Sequence, residues 1–192
     1  EFFSASDIEA DPMRLVFTGV MDYGPNEDAA IFFAEEVFPL VRARHPKAQF
    51  DIVGKSPTER VLALAAAEGV RVTGGVPDVR PYLSSAGIFV CPLRFGAGVK
   101  NKLLAALSMR KGVVATPISV EGLELRDGKD LLIADEAEDF ASKVIGLLED
   151  PGRARQLGGQ GQETVRAKYS WEGSATLLEA TLRQAIGASV KD

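Results

Sequence analysis

Three cations and two glycines crowd one short stretch, Arg94-Phe95-Gly96-Ala97-Gly98-Val99-Lys100-Asn101-Lys102, which follows an apolar run ending at Cys91 and precedes a helical pattern. A glycine brings backbone N–H groups against a ligand with no Cβ in the way, a helix start leaves its first amides free, and lysine and arginine add full positive charge. Residues of these types at this spacing bind anions, and in an α/β protein the anion is a phosphorylated ligand. A plain turn with solvated cations uses the same residues, so the loop by itself leaves both readings open.

The other strand-to-helix junctions bear on that choice. Glu27 and Asp28, Glu59, Asp78 and the pair Asp135-Glu136 stand at or just before the remaining helix starts, where their carboxylates occupy the positive helix end and repel a dianion. From Arg94 to Lys102 there is no acid at all, in a chain of net charge −5. That local reversal favours the phosphate reading.

Familiar motifs fail on spacing. Gly54-Lys55-Ser56 ends like a P-loop, but Gln49 stands where the first glycine is required. Gly96-Ala97-Gly98 opens like a dinucleotide fingerprint, yet it follows the fourth strand and Asn101 replaces the third glycine, so a nicotinamide cofactor is not expected. There is no GxSxG elbow and no HExxH helix, and Cys91 and His45 are the only residues of their kinds, which excludes a disulfide framework and cysteine- or histidine-rich metal sites. His45 before Pro46 is expected to be structural, and Glu35 with Glu36 a solvated helix face. The acidic balance, pI near 5.1, argues against a nucleic-acid-binding surface. A single cysteine fits a reducing compartment, so a cytoplasmic location is expected, and no apolar run reaches the length of a membrane span.

The elements that must position the loop alternate along the chain. Residues 1–13 read as an extended lead-in and 14–192 as one domain. Strands are expected at 14–19, 48–53, 70–73, 87–91, 113–116 and 131–134. Between them helices are expected from Asn26, as cap, to Arg44; from Ser56, as the cap of a capping box; near 81–85; over 99–109 with Leu103, Leu104 and Leu107 inward; and over 136–148, 151–168 and 171–185. Leu40, Leu62 and Ala65 are assigned to inward helix faces. The fold class is therefore α/β: a doubly wound, Rossmann-like parallel sheet of about six strands, helices on both faces, and C-terminal helices. Its ligand should lie beyond the carboxyl ends of the strands.

Taken together, Phe17-Thr18-Gly19, Pro25-Asn26, Val53-Gly54, the run from Thr73 to Asp78, Pro92-Leu93-Arg94, Gly96, Gly98, Lys100, Lys102, the run from Val113 to Thr116, Glu121-Gly122-Leu123 and Tyr169-Ser170-Trp171 resemble, in order and spacing, the C-terminal domain of GT-B glycosyltransferases, the glycosyl transferases group 1 family. The likeness covers nearly the whole chain, and its closest flavour is that of bacterial exopolysaccharide assembly. It implies a nucleotide-sugar domain, with Gly98, Val99 and Lys100 offering amides to a UDP or GDP diphosphate, Lys102 and Arg94 neutralising it, and Gly74, Gly75 and Val76 lining the base. It also implies no cofactor and no metal. The opening EFFSAS resembles the segment after the interdomain linker, so the chain is expected to be a piece of a longer protein whose N-terminal domain brings the acceptor and any peripheral membrane contact.

Departures from the family pattern matter as well. Ala97 and Ala105 occupy the positions of two glutamates spaced eight apart, the second of which holds the ribose hydroxyls in the family. Arg110 and Gly112 replace a glycine and a proline, and Val20 replaces an arginine. An active transferase with an altered donor site, a domain that kept the fold and lost turnover, and an epimerase of the same fold all stay open.

Overall fold

An apolar run with no polar alternation is buried on both faces, and Leu15, Val16 and Phe17 are fully so, at the centre of strand β1 (Asp11–Thr18). The computed structural model of the chain describes residues 3, 10–170, 179 and 183. Most of the expected helix over 171–185 and most of the lead-in lie outside those residues.

From β1 the chain runs through α1 (Gly24–Phe32), a π-turn (Phe33–Val37), α2 (Phe38–Arg44), β2 (Gln49–Val53), α3 (Glu59–Ala63) and β3 (Val70–Val72). It continues through α4 (Arg80–Ser85), β4 (Ala86–Cys91), α5 (Asn101–Ser108), β5 (Gly112–Ala115), α6 (Pro117–Val120), β6 (Leu132–Ile133), α7 (Ala137–Glu149) and α8 (Pro151–Tyr169). All six strands pair in parallel, in the order β3-β2-β1-β4-β5-β6. This is the doubly wound sheet expected, and its winding reverses between β1 and β4. At that switch point the loops leaving β1 and β4 turn to opposite faces and open a crevice at the carboxyl ends of the strands.

Several local expectations need correction. Asn26 does not cap α1; the helix begins two residues earlier, with Pro25 in its first turn, and Asn26 is buried inside it. Ser56 does not cap α3: it takes a left-handed φ of 56°, and Thr58 caps instead, accepting from Val61 N at 3.3 Å. Leu40, Leu62 and Ala65 face solvent, because α2, α3 and the turn after α3 direct other residues to the sheet, and Leu104 on the helix Asn101–Ser108 is only half-buried. Nothing in the apolar spacing announces the π-turn. Pro39 has no N–H to give the carbonyl four residues back. Phe33 and Phe38 would also stand about 140° apart on an α-helix, whereas a wider turn brings both to the sheet. There their rings pack on Phe50, at 4.5 and 5.8 Å between centroids, and Phe33 meets Phe140 at 5.7 Å. α6 falls where only a loop was expected.

Candidate functional site

β4 ends at Cys91, and the chain then passes through the glycine-rich loop into α5. Gly96 (φ 119°) and Gly98 (φ 80°) hold conformations that a side chain resists, and a Cβ on Gly98 would meet nothing within 4 Å. Lys100 is buried. Its Nζ donates back to Gly96 O at 3.2 Å and Gly98 O at 2.6 Å, so this ammonium pins the loop rather than reaching out of it.

Lys102, in the first turn of α5, is placed differently. Its Nζ lies 4.4 Å from the Phe17 ring centroid and donates to Asn26 Oδ1, while Asn26 Nδ2 donates to Val20 O at 2.9 Å. Among the described residues no carboxylate pairs with it. Desolvation pushes the Lys102 ammonium down to about 8 and pushes the neighbouring Cys91 thiol up.

Arg94 is committed elsewhere. It forks onto Asp28 (Nε–Oδ2 2.9 Å, Nη2–Oδ1 2.5 Å), approaches Glu36 at 3.7 Å and lies 4.7 Å above the Phe32 ring. The loop is free of acids in sequence but not in space. α1 lies alongside it, and Asp28, 66 residues away, neutralises the arginine. Arg94 therefore ties the loop to α1, as a strut.

Two hollows open at the switch point. One, of about 320 Å³, is lined on the β1 side by Gly19, Val20, Tyr23, Pro25 and Asn26 and on the β4 side by Leu93 and residues of the glycine-rich loop. The other, of about 390 Å³, is lined by Thr18, Gly54, Lys55, Val76, Val79 and Ala105 among others. Gly19, Val20, Asn101 and Lys102 line both, so the Lys102 side chain stands at their common wall. Gly96, Ala97, Val99 and Lys100 reach the first hollow; Val76 and Ala105 reach the second; Arg94, Gly98, Gly74 and Gly75 line neither. The Gly74 carbonyl is taken up by Gly54 N at 3.2 Å and Thr73 Oγ1 at 2.8 Å, which makes this loop a support behind Val76. A larger cavity of about 640 Å³, near Pro12, Gly87 and Gly112, lies at the amino ends of the strands, away from this crevice.

Sequence reasoning gave no site role to Tyr23, Phe95 and Lys55, named Gly19 and Val20 only as parts of or departures from the family pattern, and read Asn26 as a helix cap. Val20, Tyr23, Phe95 and Val99, each between 38% and 55% exposed, all line the first hollow, so its mouth is apolar. The legible signal was the pairing of Gly19 at a strand end with Asn26 directly after the proline of the helix start.

Similar proteins bear on the same stretch. The chain is 26% identical over 183 residues to the phosphatidyl-myo-inositol mannosyltransferase of Mycolicibacterium smegmatis, covering 92% of this chain and 46% of that one. It is 22% identical over 164 residues to an uncharacterized 44.6 kDa protein in the cps region of Klebsiella pneumoniae, covering 81% and 42%. The chain thus spans less than half the length of these relatives. The fold superposes on a mutant of S. aureus TarM, solved in complex with fondaparinux, alpha-GlcNAc-glycerol and UDP, with a TM-score of 0.77 at 18% identity, covering 95% of this chain and 37% of that one. A match to the family's own pattern runs over residues 12–150, from the first strand through the switch point to α7, and by it the chain belongs to the glycosyl transferases group 1 family.

Proposed function

We propose that this chain is the nucleotide-sugar half of a glycosyltransferase that moves a sugar from a UDP- or GDP-linked donor to a glycan or lipid-linked acceptor, in exopolysaccharide assembly. One observation carries the reading: a desolvated ammonium, Lys102, with no carboxylate partner among the described residues, stands at the wall shared by two hollows. A charge held away from water and not neutralised is costly, and a bound dianion would offset that cost. The UDP reported with the TarM structure supports the ligand class.

In this reading the diphosphate lies against Lys102 and the free amides at the start of α5, the sugar sits in the first hollow, and the nucleoside in the second beside Val76 and Ala105. When the anomeric C–O bond breaks, negative charge grows on the leaving diphosphate. Lys102 and the amides, fixed before the reaction, stabilise it there without requiring a metal. The acceptor oxygen forms the new bond and loses its proton to a base outside this chain. Arg94, held by Asp28, steadies the loop.

Titration calorimetry with UDP and GDP tests the assignment. Binding is expected to weaken at least tenfold in Lys102→Met and to be unchanged by a chelator. Equal affinity in Lys102→Met sinks it. Ala97 and Ala105 favour a second reading, a domain that keeps donor binding but no turnover. Release of nucleotide from a sugar donor by a longer chain containing this one, in the presence of acceptor, would exclude it.

A further inference from the structure

Asn26 has no role in helix capping, and yet only 6% of it is exposed. Both ends of its amide are used: Nδ2 donates to Val20 O at 2.9 Å and Oδ1 accepts from Lys102 Nζ. The fit is close enough that a Cβ on Gly19 would fall 2.8 Å from Asn26 Nδ2 and 3.0 Å from Lys102 Nζ. A glycine just after β1, an asparagine on α1 and the Phe17 ring of β1 are thus arranged around one ammonium on α5.

Each component does what a substitute would not. A carboxylate at position 26 could accept from Lys102 but could not donate to Val20 O, and it would cancel the charge. An aliphatic residue would do neither. We propose that Asn26 is a positioning residue of the donor site: it fixes the Lys102 ammonium at the wall between the two hollows without neutralising it, so that a nucleoside diphosphate meets a full, oriented positive charge. This rests on the donor-site reading above.

The surroundings give that arrangement a pH dependence. The groups facing Lys102 are the Cys91 thiol at the end of β4 and the Lys100 ammonium in the loop, with Lys55 across the second hollow. The acids of α1 are turned away: Glu27 accepts from Thr58 Oγ1 at 2.7 Å, and Asp28 holds Arg94. Desolvation holds Lys102 near 8, so its charge, and with it anion affinity, should fade above that pH.

The experiment is calorimetric titration of the 192-residue chain and of Asn26→Asp and Asn26→Leu with UDP and GDP from about pH 7 to 9.5, alongside NMR titration of the Lys102 side chain. The unsubstituted chain should bind more weakly above about pH 8, where its lysine loses its proton. Asn26→Asp should bind about tenfold more weakly near pH 7, while its Lys102 titrates at higher pH, because the carboxylate stabilises the ammonium yet takes its charge from the ligand. Asn26→Leu should also bind more weakly, with Lys102 titrating lower. Should Asn26→Leu fail to fold, Asn26→Asp, nearly identical in shape, carries the test. Variants that match the parent in affinity and in Lys102 titration overturn the inference alone. A parent chain that binds neither nucleotide overturns the donor-site reading and the inference with it.

Discussion

At the residue scale, the second hollow is decided by what position 105 lacks. Ala105 lies one turn beyond Lys102 on α5 and lines the same hollow, beside Val76. Alanine is the best helix former, so folding gives no reason against it, but it offers a ribose diol no acceptor. Ala105→Glu is expected to tighten UDP and GDP binding about fivefold, the worth of one added hydrogen-bonding pair in partly exposed surroundings, and competition calorimetry reads it. The competing outcome is physical too. Glutamate three residues after Lys102 can pair with that lysine instead. Weaker binding, together with a rise in the Lys102 pKa, would show that the carboxylate had taken the phosphate's place.

At the element scale, α8 shows how helix packing overrides propensity. Its Gly158-Gly159-Gln160-Gly161 run is a poor helix sequence, and a Cβ on Gly158 would stand 2.2 Å from Arg110 O, while one on Gly161 would stand 2.6 Å from Asp130 O and Leu107 Cδ2. A backbone carbonyl cannot rotate away, so α8 lies close against α5 and the start of β5 only because these positions have no side chain. Gly159 faces open space. Gly159→Ala should therefore stabilise by about 0.5–1 kcal/mol through propensity. Gly158→Ala, with the same propensity gain but an overpacking cost of about 1–3 kcal/mol, should destabilise; urea midpoints of the two variants should move in opposite directions. The same contrast shows what a sequence reader can reach. Apolar runs such as that ending at Cys91 declare buried strands on their own, and alternation with helical patterns declares the sheet, so all six strands were legible to within a few residues. The glycine-rich loop after the fourth strand was legible in the same way, whereas the strand order, and with it the switch point between β1 and β4, was not. Side-chain partnerships were not either, because Asn26 and Lys102 are 76 residues apart and Asp28 and Arg94 are 66 apart. Only the packing of α1 against the loop and α5 turns a supposed cap into a clasp and a supposed ligand cation into a strut.

On the scale of the whole molecule, the sheet carries a desolvated lysine at each end. Lys102 stands at the carboxyl ends of the strands, whereas Lys111, just before β5, lies at the amino ends and donates to Ser84 O at 2.8 Å and Ala86 O at 2.9 Å. Lys111 thereby ties β5 to the α4–β4 junction. Burial pushes it, too, down to about 8. Desolvation penalises the charged form, so the folded-state value lies below the ordinary 10.5. Between those two values the unfolded chain binds more protons than the folded one, and stability rises with pH. Below about 8 the cost of burying the ammonium is fully present, and it is progressively relieved as pH climbs towards 10.5. Lys111→Met removes that cost and also strands two carbonyls, a loss of about 1–3 kcal/mol. The deprotonated amine still donates to both carbonyls, so the parent improves as pH rises while the variant gains nothing from this group. The parent's unfolding free energy minus the variant's should rise by about 2 kcal/mol from about pH 7.5 to about pH 10, measured by urea denaturation at both. A signed difference that falls or stays fixed would mean that Lys111 titrates as an exposed lysine does. Because the substitution lies at the far end of the strands, nucleotide affinity near neutral pH should be that of the parent chain, which separates the lysine that holds the sheet together from the one that waits for a phosphate.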